Sequence, residues 1–250
     1  MFTRREQRTE ESGPYWKQRS WQLSAGFLGL VFVVGGIVAL VSDPNGGDRS
    51  VSAVVSEGPL SGHAVMTDGR PHGCRTDDSA GAALPKSAPK DVSWRTLGIS
   101  RVPVSASAGP ILVQKDLWWC FAHTPTGAVM AAHIIPSQMS GSGWRTISKE
   151  QVVAGHGRDL FDFTRATIQD TDDRSSGVEV ASYAGFSVTS YTSRAATVRL
   201  LIKSDQGYSA TAIVLRWSGG DWKVLPNGDG SLHSSVASVQ STDGFTLWGV

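Results

Sequence analysis

The chain has 250 residues, 18% of them charged, and a formal net charge of +1. That length holds one sizeable domain with accessory segments, and so balanced a charge gives no overall field to select nucleic acid or an anionic membrane. Residues 91–250 carry 13 Lys/Arg against 13 Asp/Glu, without the basic surplus of a nucleic-acid binder, so no nucleic-acid partner is expected.

In chain order, a short basic segment (residues 1–22) leads into LSAGFLGLVFVVGGIVALV, residues 23–41, nineteen residues without a charge. As a helix this run is just long enough for a hydrocarbon core of roughly 30 Å, so it is read as a single transmembrane helix. Trp16 and Trp21 precede it, where amphipathic rings favour the lipid interface. The alternative is a cleaved signal peptide, with IVA ending at Ala39 as the nearest match to a cleavage site, but the run exceeds the usual apolar region of such a peptide. Neither cysteine ends the run, which excludes a lipoprotein. Arg4, Arg5, Arg8, Lys17 and Arg19 before the span, against Asp43 and Asp48 with a lone Arg49 after it, place the N-terminus in the cytoplasm and the rest outside. Ala25 with Gly29, and Gly35 with Ala39, have the small-xxx-small spacing that lets two spans approach closely, although glycine is common in spans in any case.

Residues 42–90 are rich in Gly, Ser, Ala and Pro and read as a flexible extracytoplasmic tether. An α+β domain is expected over residues 91–250. Cys74 and Cys120 are the only two cysteines, both on the outer side. An oxidising compartment and an even count favour a disulfide between them, with two free thiols as the alternative. Cys120, His123 and His133 match none of the paired spacings of a zinc site, so no metal and no cofactor are expected.

ILVQKDLWWCFA, residues 111–122, is one strand or a tight hairpin interrupted by QKD. HTPTGAVMAAHII then changes period: Thr124 suits an N-cap, Pro125 the first helical position, and Ala128, Val129, Ala132 and Ile135 recur at helical spacing until Pro136 ends or kinks the helix. The stretch from Trp118 to His133 is therefore a strand, a cap and a helix, and His123 and His133 are read as structural or surface residues rather than a site. In SKEQVVAGHGRDLFDFTRATI, Ser148 and Gln151 have capping-box spacing, Gly155 and Gly157 break the helix around a turn residue His156, and Leu160, Phe163 and Thr167 resume one face. From Val178 onward the period is two: GFSVTSYT, ATVRLLIKS, YSATAIVLRW and DWKVLP are four strands joined by turns such as SDQG and SGGD. Phe245, Leu247 and Trp248 are expected to dock the tail on the domain.

Chemistry finds few candidates. No nucleophile-elbow, metalloprotease, Walker or dinucleotide pattern is present. GSGW (141–144) has no strand leading into it, and Asp159 and Asp162 lie on an amphipathic surface. Asp170–Asp173 lack the Gly and closing Glu of a calcium loop. Trp94 and Trp144 are candidate surface anchors.

The motifs GCRTDDS, PKDVSWR, CFAHTPTGAVMAA, QVVAGHGRD and VLRWSGGDWKVLPNGDGS resemble a family of actinobacterial single-span membrane-anchored proteins of unassigned function, common on mobile elements and near conjugation genes. The order of helices before a meander is similar to nuclear transport factor 2-like domains, which implies helices packed on one face of a curved antiparallel sheet. The expected function is a non-enzymatic extracytoplasmic scaffold or accessory protein of a conjugative DNA-transfer or envelope assembly, partnered by other envelope proteins or by itself. The alternative is a cone-shaped domain that binds or transforms a small molecule in an apolar pocket.

Overall fold

Two hairpins precede the helices. The structure is a computed structural model describing residues 69–98, 100–168, 170 and 182–249, all of which fall in one compact unit. β1 (Val92–Leu97) pairs antiparallel with β2 (Ser100–Ser105), a hairpin the sequence reading did not resolve. The run around QKD is a hairpin: β3 (Leu112–Gln114) and β4 (Leu117–Trp119) flank a turn with Lys115 at φ 55°. Side chains complete what β4 lacks in strand partners. Gln138 accepts from Trp118 N at 2.8 Å and donates to Gln151 at 2.8 Å, and Gln151 donates to Trp118 O at 2.7 Å.

α1 (Pro125–Ser137) begins as expected, with Thr124 as N-cap accepting from Gly127 N at 3.2 Å. Pro136 is carried inside the last turn rather than ending the helix, and a short 3₁₀ turn (Gln138–Ser140) follows. Arg165 caps this end by donating to the carbonyls of Met139 and Ser140. α2 (Trp144–Gln151) has its N-cap at Gly143, five residues earlier than the Ser-x-x-Gln spacing implied. Ser148 is therefore inside the helix, and its hydroxyl donates to Asp162 of α3 (His156–Arg165) instead of capping. His156 opens α3 rather than lying in a turn. On α3 it is Phe161 that packs against buried Trp144, while Phe163 stands 74% exposed. Trp144 is thus core and not a surface anchor.

The four expected strands are present as β5 (Ser182–Tyr191), β6 (Ala195–Ser204), β7 (Gly207–Ser218) and β8 (Asp221–Val224), an antiparallel meander. The β7–β8 turn places Gly219 and Gly220 at φ 64° and 80°, the left-handed pair that matches the twist of a two-residue hairpin. β9 (Ala237–Val239) joins the free edge of β7 beyond β8, and β10 (Thr246–Leu247) lies along β5. Val198 and Leu200 face the helices, and Arg199 and Lys203 point away. α1 lies over β5 to β8, so the core is the layer between that helix and one face of the sheet. The tail docks as expected, with Trp248 buried against Phe186.

The expected boundary at Asp91 is not where packing begins. Arg70 and Cys74 are buried, and a β-bridge residue at Pro71 lies against the β7–β8 turn, where Gly220 abuts Gly69 O. Composition could not show this, because a single disulfide and one buried arginine hold a Gly- and Ser-rich strap that has no core of its own. The expected span at 23–41, with Ala25, Gly29, Gly35 and Ala39, lies outside the described residues, as does the first part of the tether. Among the described residues no helix is long and apolar enough to cross a membrane.

Candidate functional site

The opening strands of the domain converge on the disulfide between Cys74 and Cys120, whose Cα atoms lie 5.5 Å apart. Cys120 is a non-glycine residue at φ 72°. That left-handed step turns two successive backbone N–H groups toward one point, a small anion-binding nest. The occupant is the Asp221 carboxylate, which accepts from Cys120 N at 2.7 Å, Phe121 N at 2.9 Å and Trp222 N at 2.9 Å. Arg70 lies on the other side of this segment, donating to Phe121 O at 2.6 Å and to Asp78 at 3.0 Å, with its guanidinium 5.1 Å from the Trp217 ring. His123 stacks on Trp217 at 3.8 Å and its backbone N–H donates to Asp78. Strap, strand end and β7–β8 turn are thereby locked together by a buried ionic hub.

Burial raises the Asp221 carboxyl to about 6, against the opposing pull of its three N–H donors and Arg70. Burial also pushes the Lys223 ammonium down, opposed by the charges of Glu150 and Asp221. His133, read from sequence as a surface or structural residue, is fully buried on α1. Its Nδ1–H donates to Val129 O at 2.8 Å, and its ring sits 4.7 Å from Tyr183 and 5.2 Å from Trp248. Burial lowers it to about 4.

These two shifts act oppositely on stability. His133 titrates near 4 when folded against an ordinary 6.5, so protonation favours the unfolded chain and stability falls as pH drops through that window. Asp221 titrates near 6 against an ordinary 3.8, so its protonation favours the fold and stability rises as pH drops from 6 toward 4. From about pH 7 to pH 5 the first effect removes about 2 kcal/mol and the second returns about 1. Urea midpoints of the wild type should therefore fall modestly on acidification, whereas His133→Phe should become more stable at the lower pH. Parallel behaviour of the two proteins would overturn this assignment of His133.

The disulfide closes a loop with a sequence separation of 46, for which the chain-entropy model gives roughly 3–4 kcal/mol. Cys74→Ser and Cys120→Ser are each expected to lower stability by about that amount, and the double variant by no more than either. Denaturant titration checks it; additive losses would mean that each cysteine acts separately.

Three recesses among the described residues are candidate sites. One of about 510 Å³ lies between the two hairpin turns and the end of α1, bordered by Thr96, Lys115, Asp116, Trp118 and Gln138. A more apolar one of about 430 Å³ lies between α3 and residues 229–233, and one of about 370 Å³ lies under the strap. None of the three is bordered by His133, Asp221 or Lys223. His123 and His133 are held by different partners, and no group of three or more His, Cys, Asp or Glu residues among those described is placed to hold a metal ion. Asp159 is exposed and Asp162 is engaged by Ser148. Of the expected acidic turn only Asp170 is described, paired with Arg165 at 2.6 Å. The sequence reading missed the hub, because Asp221 stands in a Gly-Gly-Asp turn and its partners lie a hundred residues away.

A disulfide-stapled α+β domain with an antiparallel meander, its interior ionisable groups sealed from solvent, is the class that these features define. The chain belongs to the family described as a domain of unknown function, DUF8175, whose model matches residues 55–247. That match begins within the segment read as tether, in line with the packing of Arg70 and Cys74. Neither the curated proteins nor the solved structures give a match.

Proposed function

We propose that the chain is a membrane-anchored extracytoplasmic scaffold or accessory protein, acting through binding rather than turnover, in an envelope assembly of the conjugative DNA-transfer kind. The observation that carries this reading is that the buried Asp221, His133 and Lys223 border none of these three recesses, while the acid and imidazole groups that do border them, such as Asp116, Asp229 and His233, stand exposed at the surface. A catalytic site needs such groups within reach of a substrate. A buried disulfide suits an oxidising compartment, and the apolar run at 23–41 with its basic flank supplies the anchor and the orientation. The finer fold assignment, a nuclear transport factor 2-like cone, rests on the helices-then-meander order alone. Tethering at a membrane raises effective concentration, so weak contacts to other envelope proteins or to a second copy suffice.

A reporter that fluoresces only in the cytoplasm should be bright when fused ahead of Met1 and dark when fused after Val250. The reverse pattern would overturn the orientation. Deleting residues 23–41 should abolish the associated phenotype even when the outer domain is exported folded.

A further inference from the structure

The outer face of the central sheet lies away from the core layer under α1 and is covered in part, since Leu201 and Ala210 on it are buried. Alternation along β5, β6 and β7 turns Phe186, Val198, Leu200 and Ile213 inward, and Ser187, Thr197, Arg199, Val214 and Arg216 outward, where each keeps part of its surface exposed. These three strands contain no acidic residue, in a chain whose 23 Lys/Arg and 22 Asp/Glu nearly balance. From 182 to 220 the sequence holds Arg194, Arg199, Lys203 and Arg216 against Asp205, which lies in the β6–β7 turn. Strand register makes a row of the cations. Arg216 stands opposite Ala195, Arg199 is four residues along β6 and Lys203 four further, steps of about 13 Å at the rise of an antiparallel strand. Ser187 stands opposite Arg199 and Ser190 opposite Thr197, which precedes Arg199 on the same face, while buried Leu201, flanked by Gly185 and Ala210, separates Arg199 from Lys203. Phe245 sits under the Arg199 guanidinium at 4.9 Å and holds it over the sheet; Asp243, two residues earlier, is exposed in the tail.

A straight row of cations set among hydroxyls, with no acid on the strands themselves, complements a linear partner carrying repeated negative charge and hydroxyl groups. Single-stranded nucleic acid needs open ring faces to stack its bases. On this face Phe245 is already covered by Arg199, leaving half-buried Tyr208. We infer that the outer face of β5–β7 binds a linear envelope polyanion with a hydroxylated, phosphodiester-linked backbone, lying along β6. The extracytoplasmic reading above supplies only the place where such a polymer is met; the chemistry of the face stands apart from it.

The full chain in detergent micelles, titrated with labelled poly(glycerol phosphate) and followed by anisotropy, tests this. Binding is expected to weaken between about 50 and 200 mM salt, as for any contact that releases counterions. The triple variant Arg194→Gln/Lys203→Gln/Arg216→Gln removes exposed side chains. It should keep its melting temperature, bind at least about ten-fold more weakly, and lose about 2 from the log–log salt slope, at about 0.7 per phosphate contact. Thr197→Glu, which adds an acid to the row without removing a cation, should weaken binding in the same direction. Unchanged affinity in a folded triple variant would overturn the inference. So would equal competition by neutral dextran, or tighter binding to a single-stranded oligodeoxynucleotide or to phosphatidylglycerol vesicles. A cytoplasmic C-terminus in the reporter assay together with retained polymer binding would remove the extracytoplasmic reading and leave this one standing.

Discussion

Replacement of Asp221 by Ala is expected to remove about 4 kcal/mol of stability, a large share of the ~5–15 kcal/mol that holds an ordinary domain folded. The carboxylate is wholly buried and accepts from the N–H groups of Cys120, Phe121 and Trp222. Alanine leaves those donors without an acceptor, at about 1–3 kcal/mol for each that water cannot reach. It also removes the nearby countercharge of buried Arg70, and breaking one side of a buried ionic arrangement typically costs about 3–5 kcal/mol. The contributions overlap, since Arg70 keeps Asp78 and the Phe121 carbonyl, so they do not sum. Asp221→Asn keeps the size and one carbonyl acceptor and should lose about half as much. Chemical denaturation with the disulfide intact is the measurement. An Asp221→Ala protein that unfolds at the wild-type midpoint would show that the nest is not a support of the fold.

Gly127→Ala is the second large effect, and helix propensity predicts its opposite. Alanine is favoured over glycine in a helix by about 1 kcal/mol, which on sequence alone makes the change stabilising. A Cβ at this position would lie 1.9 Å from Ala122 O and 2.7 Å from Ala122 C and N. The first turn of α1 rests directly on the chain leaving β4, between the Thr124 cap and the disulfide at Cys120. Neither backbone can withdraw without breaking the cap or shifting the nest. A loss above about 4 kcal/mol, or failure to accumulate folded, is therefore expected. Gly228→Ala meets nothing within 4 Å and should stay within about 0.5 kcal/mol of the wild type. Comparable losses in the two variants would mean that the close approach at Ala122 is not what requires glycine.

Recognition of the meander followed from side-chain period, because a sheet with one buried face writes its register into alternation, as Val198, Leu200 and Ile213 do. The helix after β4 was equally legible, since Thr-Pro at a helix start acts through the backbone groups of its own first turn. Other local signals were ambiguous for definable reasons. Ser-x-x-Gln at 148–151 occurs as readily inside a helix as at its cap, and only the burial of Trp144 sets the true start of α2. Phe161 and Phe163 are two residues apart, about 200° around a helix, so only the neighbours of α3 decide which is covered. The β1–β2 hairpin alternates buried and exposed positions poorly, with Pro103 inside it, and carries little strand signal.

What the sequence determined by itself are features governed by neighbours along the chain, the strands of the meander and the capped start of α1, and cysteine count favoured the bond between Cys74 and Cys120; that the run around Lys115 and Asp116 is a hairpin and not one strand was left to the fold. Tertiary structure alone decided that Arg70 and Asp221 form a hub around residues 120–121, that His133 is sealed among aromatic rings, and that Arg199, Lys203 and Arg216 align on the outer face of the sheet. Each of these depends on contacts or strand register between residues far apart in sequence. Burial reverses the ordinary preference of an ionisable group for water only when such contacts satisfy it. Local sequence carries the propensity to form an element, whereas the ionisation of its side chains is fixed by whatever the fold brings against them.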